Sequence, residues 1–181
     1  MTTALVISAL LVQLSNGSVA IGVALIFTLV TWLCGVIVIY GVGRTLFQLQ
    51  RHERARLTFS HLFFVFISNY VGQTAFIYSI WIIGLLWQPH ATMFSRMPPH
   101  TNGAGLALYN AAIFTILQLQ GNNLQDNVPV AELARIANAL QSIWAVATFI
   151  GIFGVAVAEV CELAARPLAQ RRAHAMRQHV Q

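Results

Sequence analysis

The chain has 181 residues, of which 57% are hydrophobic and only 8% are charged, whereas soluble domains carry about 25% charged residues. This composition excludes an ordinary soluble domain and predicts a protein whose solvent is lipid. The formal charge of +5 comes from arginines, which cluster beside apolar segments as the cytoplasmic flanks of membrane spans do. The charge therefore does not predict nucleic-acid binding.

Two apolar segments precede the first cluster of arginines. Residues 4–14 are apolar but shorter than the roughly 20 residues that cross a bilayer, so we expect either an interfacial helix or an extension of the first span. The first predicted span runs from Val19 to Gly43 without a charged residue. A basic loop follows it, with arginines at positions 44, 51, 54 and 56.

Two further segments reach spanning length. The second predicted span runs from Leu57 to Trp87 and the third from Leu133 to Ala158. Because arginine-rich flanks stay in the cytoplasm, we predict that the loop at 44–56 and the C-terminal tail lie inside. The N-terminus and residues 88–132 are then expected outside, and the fold class is an all-α membrane protein with three transmembrane helices.

The segment between the second and third spans is not a simple polar loop. Ala104 to Leu119 is uncharged and largely apolar, about four helical turns, and a polar stretch from Gln118 to Asn127 follows. A short apolar helix with a polar return predicts a re-entrant loop, because irregular backbone at membrane depth is tolerated only inside protein or beside a water-filled cavity. The alternative is an amphipathic helix that lies on the outer surface.

The order of outer helix, short helix, polar return and inner helix resembles the pore module of tetrameric potassium-type channels, especially the bacterial two-helix and two-pore-domain family. The residues that carry the resemblance are the run Asp126-Asn127-Val128-Pro129-Val130-Ala131-Glu132-Leu133-Ala134-Arg135 and, upstream, Leu108-Tyr109 and Phe114-Thr115. The resemblance implies a homotetramer in the bacterial inner membrane that passes monovalent cations. It divides the chain into an N-terminal part (1–56), a pore-like module (57–163) and a basic tail (164–181).

The filter of this family uses glycines so that backbone carbonyls can face a dehydrated ion. By position, the corresponding filter-like loop is Gly121, Asn122, Asn123, Leu124, Gln125 and Asp126, in which both filter glycines are replaced. The resemblance therefore implies weakly selective passage of cations past the amide side chains of Asn122, Asn123 and Gln125.

One face of the third span is polar. At 100° per residue this stripe includes Gln141, Thr148, Val155 and Glu159, which we predict to line the pore. The alternative is that Gln141 and Thr148 form hydrogen bonds between helices and that the glutamate lies among hydrated headgroups. In the second span Asn69 and Gln73 lie one turn apart, which is typical of helix-packing hydrogen bonds.

No catalytic motif occurs in the sequence, so we expect neither an enzyme nor a cofactor. Cys34 and Cys161 have no metal-ligand spacing and are expected to be buried apolar side chains. Two other functions stay open: a non-conducting structural or accessory subunit of a membrane complex, and a small transporter whose broken helix binds substrate.

The orientation is testable by cysteine labelling. In a chain lacking Cys34 and Cys161, we expect a membrane-impermeant maleimide to label Asn102→Cys in intact cells. His52→Cys should be labelled only after permeabilisation, since arginine-rich loops remain cytoplasmic. The reverse pattern would contradict the predicted topology.

Overall fold

A computed structural model describes residues 1–14, 17–50, 59–87, 92–119, 128–148, 150, 151 and 154, without the side chains of 45–50 and 59–62. Its helices are α1 (Thr2–Leu14), α2 (Ser18–Gln50), α3 (Phe59–Trp87), the 3₁₀ turn η1 (Thr101–Gly103), α4 (Ala104–Leu119) and α5 (132–148). No strand occurs among the described residues, only an isolated antiparallel bridge between Phe94 and Pro129. The all-α class is thus confirmed.

The chain forms two compact units, Met1–Ala145 and Val146–Gln181. The contacts described below all lie within the first unit. Only six residues of the second unit are described, namely 146–148, 150, 151 and 154, and all six are helical.

Among the described residues, two helices are long and apolar enough to cross a membrane. These stretches, Ser18–Arg44 and Phe63–Trp87, contain 27 and 25 residues, and at 1.5 Å per residue each exceeds the roughly 30 Å hydrocarbon core. They correspond to the first two predicted spans. The third predicted span begins within α5 and continues beyond the described residues.

The first unit exposes many large apolar side chains and buries several polar ones. Thr28, Thr31, Ser68, Asn69 and Gln73 are buried. Large apolar side chains are instead exposed along α2, the first half of α3 and α5, among them Ile26, Val30, Leu33, Ile37, Phe63, Phe64, Ile136, Leu140 and Ile143. Lipid favours this arrangement, because apolar groups lose nothing by facing it and polar groups must find partners inside.

Cys34 also faces outward. The expectation that it is buried within the protein is wrong, because its position on α2 is exposed. The side chain is small and apolar, so lipid is an adequate environment for it. Cys161 lies outside the described residues.

Helices α2 and α3 approach closely where both carry small residues. A Cβ atom built on Gly35 would lie 3.1 Å from the Cα of Gly72 and 3.1 Å from the carbonyl oxygen of Ser68. Just beside this crossing the rings of Trp32 and Phe76 are 5.8 Å apart. Small residues let two backbones come together in lipid, where van der Waals packing replaces the hydrophobic effect between helices.

Helix α1 folds back onto α2. The Ser8 hydroxyl donates a hydrogen bond of 3.0 Å to the carbonyl oxygen of Ala24, sixteen residues further along the chain. Leu5, Ala9 and Val12 are buried as well. The expectation that residues 4–14 extend the first span is therefore wrong, since α1 and α2 are separate helices and the first packs beside the second.

The loop after α3 and the segment just before α5 are joined into a cap, which we define as residues 92–100 and 128–131. The backbone N–H of Ser95 donates to the carbonyl of Val128 at 3.0 Å, and that of Val130 donates to Met93 at 2.9 Å. The cap is fixed to α3 because the indole N–H of Trp81 donates to the carbonyl of Pro98 at 2.7 Å. This bond keeps Trp81 inside the protein, only 2% exposed.

The α2–α3 crossing predicts opposite effects for the same substitution at two glycines of α2. We expect Gly22→Ala to raise the free energy of unfolding by about 0.5–1 kcal/mol, because alanine is the better helix residue and nothing lies within 4 Å of the added carbon. Gly35→Ala should instead lower it by about 1–3 kcal/mol through overpacking against backbone atoms. Thermal unfolding in detergent, followed by circular dichroism, measures both. Equal stabilities of the two variants would contradict the close crossing.

Candidate functional site

Helix α4 lies against α3, α1 and α5. The hydroxyl of Tyr70 on α3 donates to the carbonyl of Ala112 at 3.3 Å, and Leu108 packs against the cluster formed by Leu5 of α1 with Val71 and Ala75 of α3. The rings of Phe114 and Phe94 meet edge to face at 5.4 Å, which joins α4 to the cap. A helix of only 16 residues is thus held on several sides by the same chain.

An amide cluster, which we define as Asn69, Gln73, Thr115, Gln141 and Trp144, joins α3, α4 and α5. The Oδ1 atom of Asn69 accepts two hydrogen bonds, from the indole N–H of Trp144 at 2.9 Å and from Nε2 of Gln73 at 3.1 Å. The amide of Gln141 donates to the hydroxyl of Thr115 at 3.2 Å. Asn69, Gln141 and Thr115 are each at most 2% exposed.

A second set of polar contacts joins the last turn of α4 to α5. Nε2 of Gln118 donates to Oδ1 of Asn138 at 2.6 Å, and the hydroxyl of Ser142 donates to Oε1 of Gln118 at 3.2 Å. Both ends of the Gln118 amide therefore have partners within the chain. Together with Gln141 and Thr115, these residues give α4 and α5 a polar seam.

Three amide atoms of the cluster are buried without a hydrogen-bond partner: Nδ2 of Asn69, Oε1 of Gln73 and Oε1 of Gln141. The orientation of two of these amides is determined by chemistry. An indole N–H can only donate, so the atom of Asn69 that faces Trp144 must be its oxygen. The atom of Gln73 that faces the same oxygen must then be its NH₂ group.

The chemistry of this cluster is that of neutral hydrogen bonding. Its members offer amides, a hydroxyl and an indole, none of which carries charge or acts readily as an acid or base near neutral pH. The charged residues Arg96, Glu132 and Arg135 are exposed and lie in or near the cap. Among the described residues no group of three His, Cys, Asp or Glu side chains could hold a metal ion.

The predicted site residues are placed as follows. All six members of the filter-like loop, from Gly121 to Asp126, lie outside the described residues, as do Val155 and Glu159. Gln141 is covered and turned towards α4. Thr148 lies half-buried on α5. Pore lining by these residues stays a prediction.

The prediction of a helix-packing hydrogen bond is confirmed for Asn69, which accepts from Trp144 of α5, whereas Gln73 bonds to Asn69 on its own helix. Sequence reasoning missed the partners of Gln118, because Asn138 and Ser142 fall outside the polar stripe of the third span. It also missed Trp144 as a hydrogen-bond donor to α3, since a tryptophan in an apolar segment is usually interpreted as a packing residue. The available signal was the number of amides in otherwise apolar helices, each of which needs a partner in lipid.

Comparisons of this chain with protein-family models, with curated proteins and with solved structures find no match.

The hydrogen bond between Trp144 and Asn69 can be measured by a double-mutant cycle. We expect Trp144→Phe and Asn69→Leu to show a coupling energy of about 0.6 kcal/mol and at most about 1.7 kcal/mol, as for other hydrogen bonds in membrane helices. Unfolding in mixed detergent micelles gives the four stabilities.

Trp87→Phe provides the control for that cycle, because Trp87 is 80% exposed at the far end of α3. Combined with Asn69→Leu it should be additive, since distant sites do not couple. A coupling for the Trp144 pair that is no larger than this control would show that the bond does not contribute to stability.

Proposed function

We propose that the chain is an integral membrane protein in which α2, α3 and a third span beginning with α5 cross the bilayer, while α4 is re-entrant. The N-terminus and the cap face outward, and the basic loop at 44–56 faces the cytoplasm. The large apolar side chains exposed along α2, the first half of α3 and α5 support this proposal, because soluble proteins rarely expose apolar surface that extensive. Lipid is then the partner of the exposed faces of α2 and α3.

The observation on which the re-entrant proposal depends is the path of the chain around α4. Gln118, in the last turn of α4, contacts Asn138 and Ser142, which lie six and ten residues after the first residue of α5. At 1.5 Å per residue these positions are about 9–15 Å along α5. Val128 is back at the cap, bonded to Ser95. The chain therefore leaves the cap as α4. It is back at the cap by Val128, nine residues after α4 ends at Leu119.

A re-entrant helix followed by a polar loop is suited to a pore, and we propose that an oligomer, most simply a tetramer, passes monovalent cations through the filter-like loop. Acidic residues at both ends, Asp126 and Glu132 outside and Glu159 inside, would concentrate cations there. In this proposal Gln141 supports α4 from behind, since it is buried against Thr115, and Thr148 and residues beyond it face the ion. Amide side chains in the loop favour a partly hydrated cation over a dehydrated one.

A second function is favoured by the burial of Gln141. A polar residue of α5 that is buried against α4 is not available to line a central pore. Its burial suits a non-conducting accessory subunit, which would pack its exposed apolar face against another membrane protein. The two functions differ in the state of the purified protein. A channel is a homo-oligomer with flux, whereas an accessory subunit copurifies with a different chain.

Reconstitution into liposomes tests the pore directly. We expect the purified oligomer to admit monovalent cations, and Asn123→Gly to change the ratio of potassium to sodium flux. Glu159→Ala should lower cation flux by about tenfold at low ionic strength, because acidic rings raise the local cation concentration. High salt should reduce that difference through screening.

Glu53→Ala is the matched control, because it removes the same charge from the basic loop rather than from the predicted pore. It should leave the flux unchanged. If the wild-type protein is monomeric and admits no cation, the pore proposal is wrong. Copurification with a different membrane protein would then support the accessory subunit.

A further inference from the structure

The amide cluster contains more hydrogen-bonding capacity than its own members satisfy. Asn69, Gln73 and Gln141 are between 1% and 4% exposed, yet one donor and two acceptors among their amide atoms have no partner. An unpaired buried polar atom costs about 1–3 kcal/mol. Asn69 and Gln73 are bonded to each other on α3, and Gln141 lies three residues before Trp144, whose indole bonds to Asn69. The three unpaired atoms therefore belong to one region between α3 and α5 and indicate a ligand that completes their hydrogen bonds.

We propose that Asn69, Gln73 and Gln141 form an internal hydration site that binds a water molecule between α3 and α5. Water accepts one hydrogen bond from Nδ2 of Asn69 and donates its two O–H groups to Oε1 of Gln73 and Oε1 of Gln141. Buried waters commonly make about three hydrogen bonds to groups that lack other partners. The proposal is independent of whether the protein conducts ions.

The chemistry of the three atoms selects water over other ligands. A cation would suit the two carbonyl oxygens but would be repelled by the NH₂ group of Asn69, whose orientation is fixed by Trp144. A partner's side chain or a lipid headgroup would need an opening, whereas each of the three residues is almost completely covered. A small neutral molecule that both donates and accepts satisfies these conditions.

The site has a structural consequence for α4. Gln141 holds Thr115 of α4 through its NH₂ group, while its oxygen is left to the water. Asn69 holds Trp144 of α5. The water therefore completes a network in which α3 is linked to α5 directly and to α4 through Gln141, so that the short helix is supported at its polar end without a charged group.

Nuclear magnetic resonance of protein labelled with ¹⁵N-asparagine tests the site, with the Asn69 side-chain signal assigned by its loss in Asn69→Leu. We expect a cross-peak between the Asn69 amide protons and water in the wild-type protein. A water-soluble paramagnetic agent should leave this signal sharp, because the amide is buried away from bulk solvent. Gln73→Met and Gln141→Met, which keep the side-chain length and remove the whole amide including its acceptor oxygen, should each abolish the cross-peak.

Gln118→Met is the matched control, because both ends of the Gln118 amide are bonded within the chain. It should leave the Asn69 cross-peak unchanged. Absence of the cross-peak in wild-type protein with a resolved Asn69 side-chain signal would overturn the proposal, and so would its persistence in both folded acceptor variants. Should neither acceptor variant fold, the wild-type spectrum alone decides.

Discussion

The constraint on which the rest of the structure depends is that polar groups in lipid have to be satisfied by the protein itself. In the first unit the amides of α3, α4 and α5 meet each other, with Asn69 accepting from Trp144 and Gln118 bridging Asn138 and Ser142. The hydroxyls of Thr28 and Thr31 on α2 bond to carbonyls of their own helix, as Thr31 does to Phe27 at 2.8 Å. Large apolar side chains of α2, the first half of α3 and α5 face outward.

This constraint also explains why α4 can be short. A helix of 16 residues does not cross a bilayer, so its end must be placed against other polar groups. Gln118 supplies this contact in the last turn, and Thr115 does so one turn earlier. At the other end, the cap that precedes α4 is held against α3 by the hydrogen bond from Trp81 to the carbonyl of Pro98. The proposed re-entrant path and the proposed internal water both follow from this polar seam.

The close approach of α2 and α3 complements the polar seam. Glycines at 35 and 72 bring two backbones together where only small residues fit, and van der Waals contact holds the helices there. The unit thus uses two kinds of contact. Close packing joins α2 to α3, and amide hydrogen bonds join α3 to α5 and α5 to α4.

The sequence by itself determined the helical class and the bounds of α4, because length and hydropathy depend on local composition. It also located the first two long apolar helices, although α2 continues to Gln50, seven residues beyond the predicted end at Gly43. It indicated that Asn69 forms a hydrogen bond between helices. Only the tertiary structure decided that α1 folds back on α2 and that Gln141 turns towards Thr115. Those outcomes depend on which helix faces which, and helical periodicity gives the angle of a residue on its own axis but not the identity of its neighbour.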